Sequence, residues 1–167
     1  MKKIIVFLLC VSGLAFAQEN NNFSNNGIIS LNDRNYNFTI ILVNDLRQMI
    51  TIWDTADSVP GMPSTTNARI NGFISTFVTF VTLNNENVNL TYSVKLKKPD
   101  GTFSSNEYND LIIANTRVRR NMFFRGRQLL TIGFDETDVV GAYQFHITIK
   151  DNGRIIYNCI MEFQLTE

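Results

Sequence analysis

The chain has 167 residues, 44% of them apolar, with 15 basic and 15 acidic side chains and a formal net charge of +0. That length suits one domain with a core of its own, and two cysteines exclude a disulfide-built scaffold. Balanced charge excludes a general pull toward nucleic acid, and no stretch approaches the roughly 20 apolar residues of a transmembrane helix.

Residues 1–17 read as an export signal: Lys2 and Lys3 open it, an apolar run follows, and Ala15-Phe16-Ala17 supplies an A-x-A cleavage site. Cleavage after Ala17 leaves a chain of net charge about −2, expected in the periplasm or secreted. Cys10 follows Leu9 where a lipidation motif wants a small residue, so no lipid anchor is expected and Cys159 becomes the one mature thiol. Residues 18–26, "QENNNFSNN", hold too little apolar surface to offset the entropy of ordering them and read as a flexible leader. A single domain is expected over residues 27–167, with no linker dividing it.

"YNFTIILV" reads as a first strand. After it, Leu46, Met49, Ile50 and Trp53 recur at i, i+3, i+4 and i+7, which predicts a short helix capped by Asn44 or Asp45 and stopped by "SVPGMP". A strand there would leave no polar side. "FISTFVTFV", apolar on both sides, suits a central strand. In "VNLTYSVKL" the period becomes two, with Val88, Leu90, Tyr92, Val94 and Leu96 inward; "KPDG" at residues 98–101 then reverses the chain. "DLIIA" and "QLLTIGF" add strands. "YQFHITI" turns Tyr143, Phe145, Ile147 and Ile149 inward and His146 outward, "DNG" makes a tight turn, and Ile155, Tyr157, Cys159, Met161, Phe163 and Leu165 share one face of the last strand. About seven or eight strands with turns between them and one short helix near the N-terminal side predict a mainly β, immunoglobulin-like antiparallel sandwich.

"DETDVVGAY" refines that expectation. In immunoglobulin-like domains a tyrosine near the start of the penultimate strand folds over the preceding corner and hydrogen-bonds its backbone. Asp138, Gly141 and Tyr143 supply such a structural corner, with Phe145 where a disulfide-bonded domain would carry cysteine. The order of Trp53, "FVTF", "KPDG", "GAY" and "DNG", over about residues 41–153, resembles a family of small secreted bacterial proteins with no established activity. Members of that family often carry a cysteine pair after the F-x-x-F strand, where this chain has the short "LNNEN".

Candidate chemistry is sparse. The single histidine, His146, sits in mid-strand with no G-x-S-x-G elbow, so no catalytic residues are assigned and no enzyme activity is expected. One His and one mature Cys do not make a zinc site; Asp135, Glu136 and Asp138 could ligate Ca²⁺ from a loop but lack EF-hand spacing, so no metal or cofactor is assigned. Asp54 and Asp57 are the acid pair a small glycan hydrolase would need. Cys159, in phase with Met161, is expected to be a buried thiol, and Asn37 and Asn89 head N-x-T sequons.

"RVRRNMFFRGR" is the strongest interaction signal. Arg117, Arg119, Arg120, Arg125 and Arg127 surround Met122, Phe123 and Phe124, pairing forked cations with contact-rich apolar side chains. The plainer alternative is a solvated hairpin whose Phe residues enter the core and whose Arg residues stay in water or pair with the acidic loop. The sequence therefore leads to a non-enzymatic binding module of the cell envelope with a protein partner and no nucleic acid. A binder of anionic glycans or lipid headgroups through residues 117–127 is the alternative, a polyanion being its partner, and a small glycan hydrolase is the second.

Overall fold

The computed structural model describes residues 22–32, 34–56 and 63–167. The expected export signal, Asp57 and most of "SVPGMP" lie outside the described residues. Two mainly antiparallel sheets face each other across an aromatic-rich core. One holds β1 (Asn22–Ser24), β11 (Arg154–Thr166), β10 (Gly141–Asp151), β6 (Glu86–Lys97) and β7 (Phe103–Val118) in that order, with β4 (Asn67–Arg69) also on β11. The other runs β2 (Ile28–Asn32), β3 (Tyr36–Val43), β5 (Phe73–Thr82), β8 (Phe123–Arg125), with β9 (Thr131–Gly133) also on β5.

The neighbours β11, β10 and β6 stand as strands G, F and C of an immunoglobulin-like domain, opposite a sheet centred on β5. The fold is thus a mainly β sandwich. Of its eleven described strands, four are three-residue pieces; six of the other seven answer strands expected from the sequence, and β2 is an addition to them. "DLIIA" is the middle of the long β7, and only Thr131–Gly133 of "QLLTIGF" pairs as a strand.

Alternation dictates the core. Val88, Leu90, Tyr92, Val94 and Leu96 of β6 and Tyr143, Phe145, Ile147 and Ile149 of β10 are all buried, because a pleated strand sends every second side chain to one face. α1 (Leu46–Thr55) starts at Asp45, whose side chain accepts from the Gln48 N–H (2.8 Å). Its apolar stripe, Met49 with Leu46, Ile50 and Trp53, covers Ile41, Val43 and Phe77 on the outer face of the β3–β5 sheet. That second burial explains why β5 is apolar on both sides.

The turns follow their residue types. In "KPDG", the Gly101 N–H bonds the Lys98 carbonyl (3.0 Å) with φ +85° at Gly101; in "DNG", Asn152 and Gly153 take φ +48° and +79°, the two left-handed positions of a tight hairpin.

Three expectations need correction. The asparagine-rich leader is ordered in part: Asn22–Ser24 pairs parallel with residues 159–161 of β11, and Ser24 is buried with its Oγ donating to the Ile28 carbonyl (2.6 Å). An edge strand needs backbone groups to pair, not an apolar face. Ile155 does not share the inward face, since a bulge at Ile149/Lys150 leaves it 55% exposed. The segment after β7 is no hairpin: β7 pairs β6 in one sheet and β8 pairs β5 in the other.

β7 itself is irregular. Its register against β6 shifts three times, and Asp110, at φ +52°, donates its N–H to Ser93 Oγ (3.1 Å).

Candidate functional site

The arginine segment is the crossover between the two sheets. Val118 closes β7 opposite Glu86, and residues 119–122 turn across the end of the sandwich, held by the Arg120 N–H on Asn85 Oδ1 (2.8 Å) and the Asn121 N–H on the Thr82 carbonyl (2.9 Å). Phe124 then enters the core edge, stacked on Phe80 at 5.1 Å. Beyond β8 the chain zips both sheets: the Gly126 N–H bonds the Val78 carbonyl of one and the Arg127 N–H the Ile113 carbonyl of the other. The buried Tyr92 hydroxyl fixes the exit, donating to the Gln128 carbonyl (3.2 Å) and accepting from the Leu130 N–H (3.0 Å).

This scaffold splits the predicted set. Arg117, Arg119, Val118 and Asn85 line one open depression of about 510 Å³, with Arg120 on the same turn. Met122 (48% exposed) and Phe123 (52%) stand beside it. Arg125 is drawn away to α1, where it meets Asp54 at 3.7 Å, and Arg127 is exposed on the open side of the sandwich. Among the described residues, Arg125 is the one arginine of the five with a carboxylate partner.

For Arg117, Arg119 and Arg120, pairing with the acidic loop is ruled out by distance. Residues 134–140 lead into Gly141 at the other end of the sandwich, and β6, at about 3.3 Å per residue, separates the two ends by about 35 Å. Two further arginines, Arg34 at the β2–β3 turn and Arg154 at the start of β11, share the crossover's end. They join it only through the topology, so local sequence carried no signal of them. Of the described carboxylates there, Asp151 accepts from the Tyr36 hydroxyl at Oδ2 (3.0 Å), and burial followed by Asp151 and Glu86 raises that phenol above the ordinary range.

The remaining candidates fall into place around that frame. Tyr143 donates to the Val139 carbonyl (2.9 Å) across the corner, Asp138 Oδ2 accepts from the Asp135 N–H (2.9 Å), and Gly141, at φ +143°, lies where a Cβ would come 3.0 Å from Pro99. Asp135 Oδ1 accepts from both Thr137 donors, which hold its carboxyl below the usual range. Among the described residues no three His, Cys, Asp or Glu groups converge as a metal site. His146 bonds Gln144 (3.2 Å) edge-on to Phe103, with its pKa lowered by burial and then by Lys97. Cys159 is buried, its thiol pushed up to about 12. No helix among the described residues is long and apolar enough to cross a membrane.

No protein-family model matches the chain, and no curated protein matches it. Among solved structures, a family 123 glycoside hydrolase from Clostridium perfringens aligns at TM-score 0.47 and 12% identity over 78% of this chain, which spans only 27% of the hydrolase. A Niemann-Pick type C2 protein from the Japanese carpenter ant aligns at TM-score 0.46 and 5% identity, over 86% of this chain and 96% of that one. An immunoglobulin-like protein from Pseudomonas aeruginosa aligns at TM-score 0.32 and 13% identity, over 64% and 82%. Likenesses this distant transfer no activity.

Proposed function

We propose that this immunoglobulin-like sandwich is an exported, non-enzymatic binding module of the cell envelope, working through its arginine crossover. The observation that carries the reading is the crossover's composition: Arg117, Arg119 and Arg120 face solvent without carboxylate partners among the described residues, beside the exposed Met122 and Phe123. Guanidinium forks bind carboxylate, phosphate or sulfate, and adjacent apolar side chains give a protein surface something to bury. An acidic protein surface uses both elements at once, its carboxylates on the guanidinium forks and its apolar side chains on the exposed Met122 and Phe123. Export rests on the signal in residues 1–17.

The test is capture from an envelope extract with the chain from Gln18 onward, in parallel with Arg119→Glu plus Arg120→Glu. A protein retained through moderate salt by the first and not the second supports the reading. Retention of glycans or lipids alone, released by salt, replaces the protein partner with a polyanion, and identical capture by both chains removes the crossover from the mechanism.

A further inference from the structure

The two ends of the sandwich differ in charge in a way that the balanced total conceals. At the crossover end stand Arg34, Arg117, Arg119, Arg120 and Arg154, with Met122 and Phe123 exposed among them. At the other end the loop of residues 134–140 and the adjoining "KPDG" turn gather Asp135, Glu136, Asp138 and Asp100, and the neighbouring Val139 and Val140 are 66% and 47% exposed. Hydrogen bonds from Thr137 and Thr102 hold Asp135 and Asp100 below the usual carboxylate range, so both stay charged. Lys97, Lys98, Arg69 and Arg47 lie near this end too, but Lys98 is beside Asp100 on the turn and the loop itself carries no base.

Each end thus combines charged side chains with an exposed apolar pair, and the predominant signs are opposite. Such surfaces fit one another and not themselves, because like charges juxtaposed at an interface repel. A contact between different patches on identical chains is heterologous, and with the patches at opposite ends of a rod it does not close on itself.

We propose that copies of this chain associate head to tail, the arginine crossover of one docking on the acidic loop of residues 134–140 of the next. The proposal rests on the reading of the crossover as a binding surface and names its partner as a second copy. The contact is small and charge-rich, so it forms at high local concentration and weakens steeply with salt.

The decisive experiment is sedimentation and light scattering on the full chain, expressed with its own N-terminal segment, over a hundredfold concentration range at low and high salt. Two variants each break one end: Arg119→Glu plus Arg120→Glu at the head, and Glu136→Lys plus Val139→Lys at the tail. Those tail positions are exposed and their side chains hold no described hydrogen bond, whereas Asp135 and Asp138 brace the loop. Circular dichroism melts confirm that both variants fold. The wild-type chain should grow in mass with concentration, at least tenfold less readily at 500 mM than at 50 mM salt. Each variant alone should stay monomeric, and an equal mixture should form dimers again through the intact arginine crossover of one chain and the intact acidic loop of the other.

A wild-type chain monomeric throughout, variants that assemble like the wild type, or a mixture that forms no dimer overturns the proposal. If the chain stays monomeric yet an anionic matrix retains it and not the arginine variant, head-to-tail association falls while the crossover stands as a binding surface. Equal retention of both removes the crossover as well.

Discussion

Tyr143→Phe isolates one bond in the corner of the sandwich. The ring is 1% exposed, between Phe134 (5.4 Å) and Phe163 (5.6 Å), and its hydroxyl donates to the Val139 carbonyl at 2.9 Å. Phenylalanine keeps the packing and deletes the bond, so the expected loss is about 1 kcal/mol, or about 2–4 °C in Tm for a domain of this size. Tyr143→Ala removes the ring as well and should cost about 3–5 kcal/mol. Urea unfolding at unchanged m-value gives the stabilities, and amide hydrogen exchange at Thr137 and Asp138 reports whether the loop has loosened. A Tyr143→Phe chain with the wild-type midpoint and wild-type exchange would refute the claim that this bond holds the corner.

Gly141→Ala, one residue pair away, forces a Cβ against Pro99 at φ +143° and should destabilise by about 1–3 kcal/mol, read in the same urea assay. Met49→Ala empties the anchor of α1, a side chain 1% exposed, and should cost about 2–4 kcal/mol while Trp53 fluorescence moves toward that of exposed indole. Cys159 should resist a thiol reagent in the native chain and react only in denaturant, because burial pushes its pKa to about 12. Stability should fall as pH rises above about 9: Cys159, Tyr36, Tyr92 and Tyr143 all have raised folded pKa values, so the unfolded chain loses those protons first. A flat urea midpoint from pH 8 to pH 11 would contradict that sign.

The fold was legible where one face of an element is dry. In β6 and β10 every second residue is apolar because every second residue is buried, and the stripe Leu46, Met49, Ile50, Trp53 exists because α1 lies on a sheet. What escaped depends on partners far along the chain. β1 is held by backbone bonds to β11, which no side-chain pattern announces. The bulge that turns Ile155 outward sits in its pairing with Lys150. Whether residues 117–127 make a hairpin or a crossover is decided by β5, which claims β8 for the other sheet. The candidate site was half visible for the same reason. Five arginines stood out in one segment, but that Arg125 leaves for Asp54 while Arg34 and Arg154 arrive is a property of the topology.

The irregular register of β7 has a bearing on assembly. A strand that adds to an open sheet must meet donors and acceptors in phase every second residue. β7 breaks that phase three times within 16 residues and points the backbone of Asp110 out of line. An incoming strand would match a few rungs, then lose step. Sideways growth of this sheet at its β7 edge is opposed by that geometry.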